Sequence, residues 1–296
     1  MILLGEIAAL ATAGFWSTSS FLFTAASHRI GTIQLNIDRM ILAGIFIAIT
    51  MFFANVSYIL SSDQLIVLSL SGLLGLTIGD TFLFAAFKQI GPRISMLIMS
   101  FNPAIASVLA YFFLGEDLSL MSVLGIFVTI FGISLVILEK PKVTGAKFKI
   151  TKIGLFYAFI AATGQATGLI LAKQAYNIGE IHYLSATFFR IVTSIITLVP
   201  IGLIMGKYLN PINLYNNDKK SLKMVSLASI LGPYLGITLS FLAVTNAKVG
   251  IASTLMSTAP ILMLPLSAMI HKEQLSSKSI IGAFIAVAGV SLLFLT

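Results

Sequence analysis

Apolar residues run along the chain in blocks of about twenty, each closed by a short polar or glycine-containing turn. A block of that length suits a helix that crosses a bilayer, whereas a spanning strand needs roughly half as many residues. The pattern predicts ten helices, over residues 2–26, 33–53, 64–87, 94–114, 119–138, 153–172, 181–205, 222–245, 250–270 and 275–295. Backbone amides in hydrocarbon must be satisfied within the chain, so the predicted fold class is an all-α integral membrane protein. Most turns are short enough to make neighbouring helices antiparallel. The longest polar stretches are 139–152, which joins the two halves, and 206–221.

The pattern also repeats. Residues 75–137 lie on 232–294 at a constant offset of 157. That offset sets Gly75 on Gly232, Gly79 on Gly236, Ser100 on Ser257, Pro103 on Pro260, Glu116 on Glu273, Gly125 on Gly282 and Gly132 on Gly289. Upstream the offset is 151, which sets Arg39 on Arg190. The organisation read from this is a first five-helix repeat at 1–140, a basic linker at 141–152 and a second five-helix repeat at 153–296. Five is odd, so the second copy enters the membrane from the opposite side. Two inverted repeats related by a pseudo-twofold axis in the membrane plane are a signature of secondary transporters, with the substrate between them near the midplane.

Composition supports the membrane assignment and limits the chemistry. Of 296 residues, 58% are hydrophobic and 9% charged, with mean hydropathy +1.03. A soluble domain carries about 25% charged residues. The net charge of +8 is unevenly spread: fourteen of the 18 basic residues fall in loops on one side, among them Arg29, Lys88, Lys149, Lys219 and Lys220. Lys173 and Lys248 fall on the other side, and Arg39 and Arg190 within spans. Basic loops mark the cytoplasmic face, so both termini are predicted outside. Anionic headgroups satisfy this charge, and no nucleic-acid partner is expected. The absence of cysteine excludes disulfides, and His28, His182 and His271 are scattered, so neither metal nor other cofactor is expected. Without a nucleophile–base pair or a glycine-rich phosphate loop, the chain reads as no enzyme and as uncoupled from ATP. The start lacks a basic stretch before its apolar run, so the first helix is read as retained rather than cleaved.

The clearest stretch is Gly79-Asp-Thr-Phe-Leu-Phe-Ala-Ala-Phe-Lys-Gln-Ile-Gly-Pro-Arg-Ile-Ser-Met-Leu-Ile-Met-Ser-Phe-Asn-Pro103, continuing into Leu114-Gly-Glu-Asp-Leu-Ser119, Gly125 and Gly132. The second half answers with Ala252-Ser-Thr-Leu-Met-Ser-Thr-Ala-Pro260, Lys272-Glu-Gln-Leu-Ser276, Gly282 and Gly289. With an Arg on the second helix of each half and Trp16 on the first helix, this set resembles the drug/metabolite transporter superfamily in its EamA-like branch, over nearly the whole chain. The second half departs at the place of Trp16, where Gln165 and Thr167 stand. The resemblance implies a carrier in the inner (plasma) membrane for a small-molecule substrate. Export of amino acids or related amphipathic compounds is the expectation, and import of sugars, nucleosides or other metabolites the alternative. An intramembrane enzyme and a structural or receptor protein are the rivals of another class. A homodimer and proton coupling stay open.

Several positions could carry the chemistry. Pro103 and Pro260 fall near mid-span and are expected to kink their helices, freeing the carbonyls of Met99 and Met256. Ser100, Asn102, Ser257 and Thr258 would line such kinks, which either flank the substrate path or are satisfied by a neighbouring helix. Asp80 lies deep in helix 3, where a carboxylate costs about 3 kcal/mol and must find a cation, a donor or a proton. It either pairs with Arg39, Lys88 or Arg93, or carries a proton or meets a substrate amine. Its repeat mate is Ile237, so that role belongs to one half. Arg39 and Arg190 stay charged and cannot relay protons; they bind a carboxylate or cap free carbonyls. Asp38 is expected to face the basic interface, and Glu6 either to reach water at the outer end of helix 1 or to guard an outer vestibule.

Trp16 is deep in its helix, and with Ser17 and Ser20 it offers a ring face and hydroxyls to a ligand or packs with its hydroxyls turned back. Gln165 is a candidate polar wall. Tyr234 either lines the cavity or sits at the interface. Glu116 and Glu273 each precede a helix start and complement its dipole. Gly125, Gly132, Gly282 and Gly289, seven apart on helices 5 and 10, predict a packing face.

Overall fold

The computed structural model describes residues 4–115, 117, 119–138, 148–246, 249–272 and 275–293. The predicted dipole partners Glu116 and Glu273, and the linker residues 139–147, lie outside them. The described elements are all helical. In the first half they are α1 (Leu4–Ile30), α2 (Thr32–Phe53), α3 (Ser62–Ser71), a π-helical stretch (Gly72–Gly79), α4 (Asp80–Met99), α5 (Asn102–Leu114) and α6 (Leu120–Ile137). In the second they are α7 (Lys152–Ile178), α8 (Tyr183–Ile204), the short α9 (Pro211–Asn217), α10 (Lys219–Ser229), a second π-helical stretch (Ile230–Gly236), α11 (Ile237–Asn246), α12 (Val249–Met256), α13 (Ala259–His271) and α14 (Ser277–Leu292).

Among the described residues seven helices are long and apolar enough to cross a membrane, and α5, α13 and α14 are shorter apolar helices. The ten expected spans therefore do not all stand as continuous spanning helices. Helices 3 and 4 of the sequence pattern run together over Ser62–Met99 and are divided at Gly91, whose φ of 77° no helix accommodates. Outward faces are apolar: Phe112, Phe127 and Ile196 are each at least 65% exposed. Surface of that kind is suited to lipid.

Pro103 and Pro260 were expected inside bent helices. Instead each chain breaks just ahead of its proline, at Ser100–Phe101 and at Ser257–Thr258, and the proline stands in the first turn of α5 or α13. A proline there forfeits no helical bond, because first-turn amides have no intrahelical partner. Asp38 is 5% exposed and accepts from Gln34 Nε2 at 2.9 Å and Tyr215 Oη at 2.5 Å. The basic loop 206–221 folds α9 back over α2, so the aspartate meets that loop through a phenol and is buried by it.

The sequence repeat is carried into detail. The offset of 157 lays one π-helical stretch over the other and one chain break over the other. It also pairs the left-handed caps Gly115 (φ 67°) and Lys272 (φ 51°). Helix starts match in kind. Ser61 and Asp218 cap α3 and α10, and Ser119 and Ser276 cap α6 and α14, each accepting the amide three residues on. Such caps satisfy donors the helix itself leaves orphaned.

Packing then exchanges the halves. Helix α1 lies on α10, the second π-helical stretch and α11, and α7 lies in the same manner on α3, the first π-helical stretch and α4. Helix α2 packs on its own mate α8, and α6 on its mate α14. The glycine stripe serves that last pair. A Cβ on Gly125 would stand 2.7 Å from the Gly289 carbonyl oxygen, and one on Gly132 2.7 Å from that of Gly282. Close backbone approach of this kind is how helices associate in lipid, where burial of apolar surface offers no gain.

Candidate functional site

Asp80 opens α4 directly after the π-helical stretch, a wider turn that is frequent at functional sites. Its side chain is 5% exposed. Arg39 donates from Nη2 to its Oδ2, and Gln165 donates from Nε2 to its Oδ1 at 2.5 Å. Of the three cations in question, the structure pairs Asp80 with Arg39. Lys88 instead lines a basic depression at the end of the bundle with His28, Arg29, Lys149 and Lys220.

Arg39 is held on every side. Its Nε donates to Asn36 Oδ1 at 3.0 Å, and its guanidinium lies 4.7 Å from the centre of the Phe84 ring and 5.5 Å from that of Phe23. Asn36 is fixed in turn, donating to Thr81 Oγ1 at 2.9 Å and to the Leu76 carbonyl at 3.1 Å. A buried ion pair survives desolvation when its remaining donors and acceptors are also met. Here α2, α4 and α7 each supply a part.

Arg190 stands at the same place in the second half: each arginine is seven residues past the first residue of its helix, α2 or α8. Its surroundings differ. Among the described residues its guanidinium makes no hydrogen bond and no ion pair, and its Nε is buried without a partner. Its terminal nitrogens are not enclosed in that way. Asp80 and Tyr176 are near enough to act on it electrostatically. Space for it is made by glycine: a Cβ on Gly75 would stand 3.2 Å from Arg190 Nη2 and 3.8 Å from Gln165 Oε1. Gly164 and Gly168 bring α7 onto the π-helical stretch, and Cβ atoms there would stand 2.8 Å from the Leu74 oxygen and 3.0 Å from the Gly75 Cα.

The other candidates divide. Ser20 Oγ donates to the Trp16 carbonyl at 2.7 Å, and Ser100 Oγ to the Leu97 carbonyl at 2.5 Å, both turned back on their own helices. Ser17 Oγ lies within hydrogen-bond distance of two carbonyls, Ala13 at 2.7 Å and Ala259 at 3.0 Å, so it meets α13 close to the chain break before Pro260. Trp16 is partly buried, with its indole nitrogen against Gly236. Tyr234 Oη lies 3.0 Å from Thr50 Oγ1 and its ring 5.4 Å from that of Phe46, which is a contact between α2 and the second π-helical stretch. Asn102 opens α5 partly exposed, and Ser257 lies in the matching break, its amide bonded to the Ser253 carbonyl at 2.9 Å. Glu6 does not reach water with both oxygens, because its Oε2 is buried without a partner.

Thus Arg39, Asp80, Gln165 and Arg190 come together, while Trp16, Ser20, Ser100 and Tyr234 are engaged in helix contacts. One member, Asn36, was not singled out from sequence, because a polar residue three before an arginine on a helix is only a weak signal of contact. Away from the cluster, at the basic end, the ring of Phe148 packs on those of His28 and His271, with centroids 6.1 and 5.2 Å apart. Among the described residues no cluster of His, Asp or Glu could hold a metal ion.

The model of the EamA-like transporter family matches residues 3–138 and again 152–295, so the chain belongs to that family. No curated protein matches. A solved structure described only as the crystal structure of a protein is similar over 97% of this chain and 95% of its own, with a TM-score of 0.66 and 17% identity. At that identity the likeness speaks for the fold.

Proposed function

We propose that this member of the EamA-like transporter family is a secondary carrier of small metabolites that exports amino acids or related amphipathic compounds by alternating access. The observation that carries this reading is the placing of one polar cluster where the two repeats meet. Arg39 and Asp80 belong to the first half, Gln165 and Arg190 to the second, and Asp80 is bonded to both halves. Polar and charged groups in membrane helices are expensive and gather at substrate paths.

The two five-helix units, 1–140 and 153–296, are taken as inverted and spanning ten times, with the basic end cytoplasmic and both termini outside. Exchange of the helix pairs by swapping the halves supports this, since each half can then adopt the conformation of the other. Helices α6 and α14, packed on each other through glycine, act as scaffold. The remaining helices rock around the cluster. The Arg39–Asp80 pair makes a fixed ion pair the resting state of that carboxylate, and proton coupling through Asp80 requires the pair to open during the cycle.

Reconstitution tests this directly. Proteoliposomes loaded with labelled amino acids, sugars or nucleosides should release one class saturably, in a manner that depends on Arg39 and Asp80. A pH gradient that drives the flux in wild type but not in Asp80→Asn would assign the proton to Asp80. Equal release from protein-free vesicles across the panel would remove the carrier reading.

A further inference from the structure

The cluster is out of electrical balance. It holds two guanidinium groups and one carboxylate, all drawn from helices that cross the apolar layer. Asp80 spends both oxygens on Arg39 and Gln165, so Arg190 is left with charge and no bond. A cation at such depth is costly unless an anion or water meets it. The repeat offers no internal answer, because the residue equivalent to Asp80 in the second half is Ile237.

We propose that Arg190 is the ligand for a carboxylate of the transported molecule, so that the substrate class is a small organic acid, amino acids included, with one free carboxylate at the site. This rests on the carrier reading and adds to it the chemical group that is recognised. One carboxylate meets the guanidinium that Asp80 leaves unpaired, whereas an uncharged solute offers it no counter-charge; in a zwitterionic amino acid the ammonium is then met by a separate acceptor, Gln165 Oε1. Nε is buried without a partner, the terminal nitrogens are not enclosed in that way, and Nη2 lies beside Gly75, where a Cβ would stand 3.2 Å from it. Gln165 Oε1, an acceptor, lies 3.8 Å from the same point. With Nε2 already given to Asp80, that oxygen is turned to receive an N–H beside the carboxylate. Planar guanidinium and carboxylate match in a two-bond fork that lysine cannot form.

The test uses the purified full chain and reads thermal unfolding through Trp16, the single tryptophan. The probes are phenylalanine, leucine, threonine, lactate and benzoate, each paired with its carboxamide, together with glucose and uridine. At least one acid should raise the midpoint, with its amide binding about 10- to 100-fold more weakly. Arg190→Gln should abolish the acid's effect. Arg190→Lys, which retains charge and so guards against misfolding of the first variant, should keep a weakened response. Amides as effective as acids, acids that bind both variants as they bind wild type, or no response to any acid would each overturn the proposal. Flux in vesicles separates it from the carrier reading. Saturable flux of glucose or uridine alone would overturn the carboxylate assignment and leave a carrier. Arg190-dependent binding of an acid without flux would keep the site and remove the carrier.

Discussion

Arg39 and Arg190 are the same residue written twice, yet they end in opposite conditions. Arg39 is closed in by Asp80, Asn36, Phe84 and Phe23 and is 7% exposed. Arg190 has a buried Nε without a partner, and its Nη2 lies beside Gly75, where a Cβ would stand 3.2 Å away. The difference is not in the arginines or their depth, since each lies seven residues into its helix. It comes from single positions where the copies have diverged: Asp80 against Ile237, and Gln165 against Gly14. A duplicated fold thus supplies two equivalent cations, and one carboxylate decides which is paired and which is not.

The comparison breaks most sharply at the carboxylate. Asp80→Asn strips Arg39 of its counter-ion and leaves an uncompensated buried charge. Losing one member of a buried pair costs about 3–5 kcal/mol. The variant should unfold in detergent at a markedly lower temperature, and Arg39→Met combined with Asp80→Leu should recover much of that loss. A single variant as stable as wild type would mean that Arg39 does not depend on Asp80.

A smaller loss should follow from separating the halves rather than discharging them. In Gly168→Ala the new Cβ would stand 3.0 Å from both the Gly75 Cα and the Ser71 carbonyl oxygen. Neither backbone atom can turn aside, so α7 must shift away from the π-helical stretch and draw Gln165 off Asp80. Overpacking of this kind costs about 1–3 kcal/mol. Gly14→Ala is its control: no atom lies within 4 Å of a Cβ there, and helix propensity alone would add up to about 1 kcal/mol. Thermal unfolding of the two variants should therefore move in opposite directions.

These sites also show what could be read from sequence. The repeat and the α6–α14 glycine face were legible because spacing alone encodes them, whereas Pro103 and Pro260 mark where the helices are disturbed but not that each disturbance is a chain break ahead of the proline. The partner of Asp80 was not legible: Arg39, Lys88 and Arg93 were all admissible, and only the approach of α2 to α4 chooses. Gln165 was a candidate for a polar wall, but its bond to Asp80 crosses between repeats, and no local pattern reports that. The π-helical stretches were hidden because an apolar run reads alike in either helix. The burial of Asp38 was not legible because the burying group, Tyr215, arrives from a loop far along the chain.

At Arg190 the expected effect on stability is smaller still and of the other sign. Arg190→Met removes a cation that has no bond to lose and replaces it with an apolar chain of similar reach. Its unfolding midpoint should equal or exceed that of wild type, while carboxylate binding disappears. A destabilisation as large as that of Asp80→Asn would show that Arg190 is held by a partner after all, and the contrast between the two arginines would vanish.

The smallest effect is expected at the bundle's basic end, where the same ion pair is built in water. Arg29 donates from Nε and Nη2 to the two oxygens of Asp218, at 2.9 and 2.8 Å, and Ser221 Oγ adds a third bond at 2.6 Å. The Arg29 hydrogen bond, followed by that from Ser221, holds the Asp218 carboxyl well below the usual carboxylate range. A carboxyl whose native pKa is depressed stabilises the fold above its unfolded value, about 3.9, and loses that contribution as pH falls through the native one. Asp218→Asn should accordingly lower the unfolding midpoint slightly near neutral pH. The gap to wild type should close as the solution is acidified below the unfolded value. Because the arginine is 44% exposed, added salt should shrink the gap as well. The Arg39–Asp80 pair, shut away from ions, should show no such salt dependence. If both pairs responded equally to salt, the depth that separates a structural arginine from a surface one would have no energetic meaning here.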